Sequence, residues 1–183
     1  MMVAPERAVQ LGGQERRRII YTEEQVRGRV DALGEEISTA YSAEDDLLVL
    51  GLLKGLSVFL ADLVRRIYCP LQVDFLVASS YGSGQSSSGH VRLLYAGEAK
   101  LTDRAVVVVE DIVDSGTTVN WLFSLLEERG PRSLELCVLL CKQRAALDRQ
   151  PRWVDFAAPG EFLVGSGLDS GEDLRHPPYI ASL

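Results

Sequence analysis

The stretch VVVVEDIVDSGTT, residues 106–118, decides the fold. Four consecutive β-branched apolar residues suit a strand buried on both faces, as in a parallel sheet covered by helices. Glu110, Asp111 and Asp114 then crowd into five positions ahead of Ser115, Gly116, Thr117 and Thr118. In a parallel α/β sheet, ligands bind beyond the carboxyl ends of the strands. Glu110 and Asp111 stand at such an end. The 114–118 segment turns into a helix, so its N–H groups and hydroxyls converge where the helix dipole is positive, making an anion cradle. Gly116 removes the Cβ that would hold an anion away from the backbone. Carboxylates beside an anion need another task. Two adjacent acids accept from a pair of sugar hydroxyls and help hold Mg2+, directly or through its waters. The pattern points to a ligand with a phosphate at one end of a ribose and diol hydroxyls on its side. DSGTT alone also suits the start of any helix; the strand and the Glu-Asp pair before it favour the cradle.

Outward from this stretch, strands and helices alternate. RRIIYT (17–22) reads as a short strand. It runs into Thr22, which with Gln25 fits a capping box. Val26, Val30, Leu33, Ile37 and Tyr41 then mark one face of a helix. LLVLGLL (47–53) is a fully apolar strand ending in Lys54-Gly55. LSVFLADLVRRI (56–67) has helical spacing, with basic residues placed for the last turn. VDFLVA (73–78) is a third strand. It leads through the small polar tract SSYGSGQSSSGH (79–90) to VRLLY (91–95), which reads as an antiparallel return forming a long flap. TVNWLFSLLEERG (118–130) is a helix with Gly130 at its end, and LELCVLLC (134–141) is another buried strand. Residues 1–15 read as a loose arm, and 153–183 are less regular. The order implies an α/β doubly wound fold in one domain spanning 1–183.

The formal net charge of −7 argues against sequence-independent nucleic-acid binding, which needs a basic surface. No apolar run approaches the length needed to span a bilayer, and the N-terminus lacks the apolar core of a signal peptide. The three cysteines, Cys69, Cys137 and Cys141, have no metal-ligand spacing, and the last two sit too far apart along one strand to bridge. Reduced thiols in a cytoplasmic protein are the expectation. The Walker A pattern is absent, and Gly82-Ser-Gly84 lacks the third glycine of a dinucleotide fingerprint.

VVVVEDIVDSGTT closely resembles the phosphoribosyl-pyrophosphate motif of type I phosphoribosyltransferases. It is most similar to the hypoxanthine-guanine branch, where an apolar strand precedes Glu-Asp-Ile-x-Asp-[Ser/Thr]-Gly-x-Thr. Four further stretches in the same order resemble that branch. LLKG (52–55) is similar to its pyrophosphate loop, which implies a cis peptide between Leu53 and Lys54. SSYGSGQSSSG is similar to its mobile lid, with Ser80 and Tyr81 as the closing pair. LLCKQR (139–144) puts Lys142 at the position that meets the 6-oxo group of the purine. EFLVGSGLDSGEDLRHPPYI (161–180) is similar to its closing segment. There the resemblance implies Phe162 stacking on the base, Leu163 meeting the base edge through its main chain, Asp169 ligating Mg2+ and Arg175 reaching pyrophosphate. Ser166 and His176-Pro177 depart from the commoner pattern, and Thr117 stands where the family varies.

The resemblance covers roughly residues 16–180. It implies a type I phosphoribosyltransferase fold, a mainly parallel sheet flanked by helices, with a flexible flap and a small hood formed from about 16–22 and 153–183. It also implies a Mg2+-dependent transfer of phosphoribosyl from phosphoribosyl pyrophosphate to a 6-oxopurine base, with no nucleic-acid or membrane partner and assembly as a homodimer or homotetramer. The implied donor-binding set is Lys54, Gly55, Glu110, Asp111, Asp114, Ser115, Gly116, Thr117, Thr118 and Arg175. Glu110, Asp111 and Asp169 are the implied metal ligands, and Asp169 also belongs to the implied purine set with Lys142, Phe162 and Leu163. Asp114 is positioned as general base. A xanthine-preferring enzyme remains open, because Lys142 meets the 6-oxo group of all these bases. A non-catalytic nucleotide- or RNA-binding regulator on the same fold is disfavoured by the net charge and by the intact acids.

Overall fold

The computed structural model describes residues 18–80, 91–95 and 97–183. The expected arm 1–15, the middle of the flap and Tyr81 lie outside the described residues. In chain order the elements are β1 (Arg18–Tyr21), α1 (Glu23–Ala40), a 3-10 turn (Ala43–Asp45), β2 (Leu47–Leu53), α2 (Ser57–Val64), β3 (Leu71–Ser80) and β4 (Val91–Tyr95). There follow β5 (Ala105–Val113), α3 (Thr117–Glu127), β6 (Ser133–Lys142), β7 (Trp153–Ala158), β8 (Leu163–Val164) and β9 (Ile180–Ser182).

The main sheet has the order β4-β3-β2-β5-β6-β7. All its neighbours pair in parallel except β3 and β4, which pair antiparallel as the flap reading expects. Val106 to Val109 are each no more than 1% exposed, so the valine run is covered on both faces. After β2 the chain goes to β3 on one side and returns to β5 on the other. The crevice at this reversal, beyond the carboxyl ends of β2 and β5, is where such a sheet takes its ligand. At the opposite end of the sheet, the buried Arg104 donates to Asp46 Oδ1 at 2.9 Å and Gln72 Oε1 at 3.0 Å, tying together the starts of three strands. A second, three-stranded antiparallel sheet, β1-β9-β8, joins the two ends of the described chain.

The capping box forms: Gln25 N donates to Thr22 Oγ1 at 3.3 Å, and Thr22 N donates to Gln25 Oε1 at 2.9 Å. Helix α1 packs on α2 and β7. Its Gly34 permits the contact, since a Cβ there would stand 2.3 Å from Arg66 Cβ. Helix α2 stops at Val64, so Arg65 and Arg66 fall just past its end rather than in its last turn. Arg66 instead donates to Asp31 Oδ1 of α1 at 2.6 Å. Strand β5 continues past the end expected at Glu110 and Asp111 to Val113, because β6 runs beside it as far as the Val113–Cys141 pair. Trp153–Ala158, irregular by pattern, forms the outermost strand of the main sheet. Cys69, Cys137 and Cys141 are all free.

Candidate active site

The segment expected as an anion cradle lies where β5 gives way to α3. Gly116 begins the helix at φ 89°. A side chain there would not meet an anion first: its Cβ would lie 2.6 Å from the Ala146 carbonyl oxygen. The glycine is required by that crossing loop and by its left-handed backbone. Ser115 Oγ and Thr117 Oγ1 are 3.1 Å apart, and Thr117 N donates to Ser115 Oγ at 3.3 Å. Residues 110, 112–116, 118 and 119 border a cavity of about 110 Å3 at the helix N-terminus. Thr117 is exposed and outside that lining.

Because β5 runs unbroken through Glu110 and Asp111, the side chains of these two acids alternate. Glu110, Ile112 and Asp114 face the cradle, while Asp111 turns to the other side, against Gly55. The adjacent acids expected to work as a pair therefore stand on opposite faces of their strand. Glu110 Oε2 is buried with no hydrogen-bond partner. Burial, aided by the charge of Asp111, pushes its carboxyl well above the usual range. Asp111 Oδ1 accepts from Ile112 N at 2.8 Å. Burial raises Asp111 to about 6, with Asp169 adding to the rise and main-chain N–H groups and Arg175 opposing it. A Cβ at Gly55 would stand 1.8 Å from Asp111 Oδ2, so a side chain there would have to displace the Asp111 carboxylate.

The Leu53–Lys54 peptide is cis, as the resemblance implies. Lys54 Nζ lies 3.1 Å from Glu172 Oε1. Arg175 donates to the Gly167 carbonyl at 2.9 Å and pairs with Asp169 at 2.9 Å and with Glu172 at 3.1 Å. Gly167, at φ 102°, presses against the Gly55 carbonyl, where a Cβ would come within 2.1 Å. The closing segment is thus laid directly on the Lys54-Gly55 loop. Glu172, held below the usual carboxylate range by Lys54 and Arg175, had not been singled out from sequence.

Lys142, buried at the end of β6, reaches Asp114 Oδ2 at 3.3 Å, and the Arg144 guanidinium closes on Asp114 Oδ1. Burial pushes the Asp114 carboxyl up, but hydrogen bonds from Arg144 and Lys142 outweigh it and hold the group below its usual value. The loop after Lys142 is stitched to the cradle. Ala146 N donates to Ser115 O at 3.0 Å, Asn120 Nδ2 donates to Ala146 O at 2.9 Å, and Asp148 N donates to Asn120 Oδ1 at 3.1 Å. Lys142 and Arg144 also line a cavity of about 440 Å3 with Arg18, Ile20, Tyr21 and residues 157–160. Phe162 and Leu163 stand outside that lining. Leu163 is buried in β8, whereas Phe162 is 57% exposed. Ser80 closes the β3–β4 ladder opposite Val91 through its backbone. Among the described residues, no group of three His, Cys, Asp or Glu side chains converges as a metal cage, and no helix is long and apolar enough to cross a membrane.

Arg144, Glu172 and Asn120 escaped sequence reading because their partners lie 30, 118 and 26–28 residues away. Ile112 was legible in principle, as the residue between two even-numbered acids on one strand face.

A model of the phosphoribosyl transferase domain matches residues 19–162. The chain is 42% identical over 171 residues to a hypoxanthine-guanine phosphoribosyltransferase of Mycobacterium tuberculosis, covering 90% of this chain and 85% of the relative. It is 37% identical over 167 residues to a hypoxanthine phosphoribosyltransferase of Salmonella typhimurium, covering 90% and 94%. A crystal structure of a hypoxanthine-guanine phosphoribosyltransferase from Bacillus anthracis superposes with a TM-score of 0.86 at 38% identity, covering 92% of this chain and 99% of that one. With the reversal crevice, the cradle and the cis loop already in place, these likenesses agree with the residues: the chain belongs to the phosphoribosyltransferase family, on its hypoxanthine-guanine branch.

Proposed function

We propose that this chain is a purine-salvage enzyme that transfers a 5-phosphoribosyl group from phosphoribosyl pyrophosphate to hypoxanthine and/or guanine. The products are IMP or GMP and pyrophosphate. One observation supports the reading above all others. A single run of backbone carries Asp114 to 3.3 Å from Lys142 and passes at once into the Ser115–Thr118 cradle. A base-recognising pair and an anion nest are thereby held a few residues apart, as a nucleoside monophosphate requires.

In this mechanism the main-chain N–H groups and hydroxyls of 115–118 grip the 5-phosphate. Glu110, on the cradle side of β5, accepts from the ribose hydroxyls, while Asp111, on the other side against Gly55, stands toward the pyrophosphate loop and Arg175. Lys54, the Gly55 main chain and Arg175 take the pyrophosphate, whose departing charge a planar guanidinium matches in two directions. Lys142 donates to the 6-oxo oxygen. A 6-amino base would bring a donor to that buried donor, and the mismatch rejects it. Asp114 accepts the proton from the imidazole side of the purine, after the incoming base displaces Arg144 from it. Phe162 stacks on the base with Leu163 at its edge, and Ser80 and Tyr81 close over the site to exclude water from an oxocarbenium-like transition state.

Magnesium fits the residues present. Glu110 offers a buried oxygen without a partner, and Asp111 and Asp169 both approach Arg175. One or two carboxylates plus substrate oxygens are what this ion commonly takes. When bound, it supplies charge neutralisation on the leaving pyrophosphate.

The test is a substrate panel: hypoxanthine, guanine, xanthine and adenine, each with phosphoribosyl pyrophosphate and Mg2+, following nucleotide formation. Turnover with hypoxanthine or guanine is expected. Activity with none of the bases refutes the enzyme reading, and turnover of adenine refutes the role of Lys142.

A further inference from the structure

The two cations assigned to the pyrophosphate are both held by one carboxylate. Glu172 Oε1 lies 3.1 Å from Lys54 Nζ, and Glu172 Oε2 accepts from Arg175 Nη2 at 3.1 Å. Lys54 and Glu172 are 118 residues apart in the chain, so this is not a by-product of local geometry. The carboxylate is aimed by its backbone. Ser170 and Asp173 exchange two main-chain hydrogen bonds, at 3.0 and 3.2 Å, closing a two-residue turn around Gly171 and Glu172. Both central residues are left-handed, at φ 61° and 70°. Glu172 N is further fixed by Asp169 Oδ2 at 2.8 Å. Such turns favour Gly, Asn and Asp, so a glutamate there is accounted for by its side chain and not by its backbone preference. That side chain is 64% exposed and is free to swing out without any change in the turn.

We propose that Glu172 occupies the pyrophosphate position in the free enzyme, competing with pyrophosphate for Lys54 and Arg175 and so hastening release of that product. The inference rests on the assignment of Lys54 and Arg175 to pyrophosphate. A ligand entering the site breaks both ion pairs. After transfer, the carboxylate returns to the same two donors and opposes rebinding. Glu172 is in this sense a positioning residue for the two cations, with an effect on affinity opposite in sign to that of an ordinary binding residue.

The experiment is a calorimetric titration of the full chain with inorganic pyrophosphate and Mg2+, for the wild type, Glu172→Gln, Lys54→Ala and Arg175→Lys. Glu172→Gln is expected to bind pyrophosphate about three- to tenfold more tightly, the range set by two exposed ion pairs that the ligand no longer has to break. Product inhibition by pyrophosphate in the forward assay should strengthen by the same factor. An unchanged or weakened affinity in Glu172→Gln overturns the proposal, because a merely structural ion pair gives that result. Should Lys54→Ala and Arg175→Lys lose affinity while Glu172→Gln does not gain it, the fault lies with Glu172 alone. Should those two variants bind as the wild type does, the pyrophosphate assignment itself fails.

Discussion

Asp155, in β7 under helix α1, offers the sharpest quantitative test of this structure. Its side chain is fully buried, and neither carboxylate oxygen has a hydrogen-bond partner. Arg29 Nη2 approaches Oδ1 at 3.3 Å, close enough for attraction but without the alignment of a hydrogen bond. Burial, with Glu36 adding to it and Arg29 opposing it, raises the carboxyl from 3.8 to about 7. An acid with a folded pKa above its unfolded one favours the fold while protonated. That contribution is complete below 3.8 and is lost as pH rises toward and past 7. At about 1.4 kcal/mol per pH unit, ionising Asp155 costs the folded chain about 4 kcal/mol at pH 8 and less than half of that at pH 5. Asp155→Asn removes the ionisation and keeps the shape. Its stability relative to wild type should therefore improve by about 2–3 kcal/mol between pH 5 and pH 8. Urea unfolding followed by the fluorescence of Trp153 and Trp121, at unit steps across that range, measures the difference. Taking the difference between the two proteins cancels the titration of Glu110 and Asp111, which they share. Parallel stability curves for the two proteins would refute the argument, since a carboxyl with an ordinary pKa adds nothing pH-dependent above pH 5.

Other outcomes follow from the site. Asp114→Asn should lower turnover about 10²- to 10⁴-fold while donor binding is retained, in a steady-state assay at saturating base; turnover equal to wild type removes Asp114 from proton transfer. Gly116→Ala has to move the 146–147 loop and hold a left-handed alanine, so thermal unfolding should show a loss of about 1–3 kcal/mol together with a raised KM for the donor. A loss of stability with an unaltered donor KM would separate that glycine from the cradle.

The parts of the fold legible in the chain were those written in contiguous residues. Four valines announced a strand covered on both sides, and Val106–Val109 are buried accordingly. Thr22 and Gln25 announced a helix start three residues wide, and both bonds of the box are made. The apolar run before Lys54 announced β2, and the resemblance supplied the cis bond after it. Features written across the chain were not legible. The run of β5 to Val113 is decided by β6, and the pairing of Arg18 with Ser182 joins opposite ends of the described residues. In the site, the acidic run nominated Asp111, and the resemblance supplied Gly55 separately. Only their approach in space shows that a Cβ at position 55 would stand 1.8 Å from the Asp111 carboxylate and have to displace it. Phe162, which the resemblance assigns to base stacking, stands exposed while its neighbour Leu163 is buried.

The Asn120 stitch sets a limit on how this protein can change. Its amide holds both the carbonyl of Ala146 and the amide of Asp148, while its own helix begins at the anion cradle. On the roles proposed for the cradle and for Lys142, the ruler between the phosphate end and the base end of the ligand is a side chain that need touch neither. Any remodelling of the 143–148 loop to admit a different base is transmitted to the grip on the sugar phosphate. Selectivity at one end and affinity at the other are geared together, and variants chosen for a new base should need a second change near position 120 to restore the old donor.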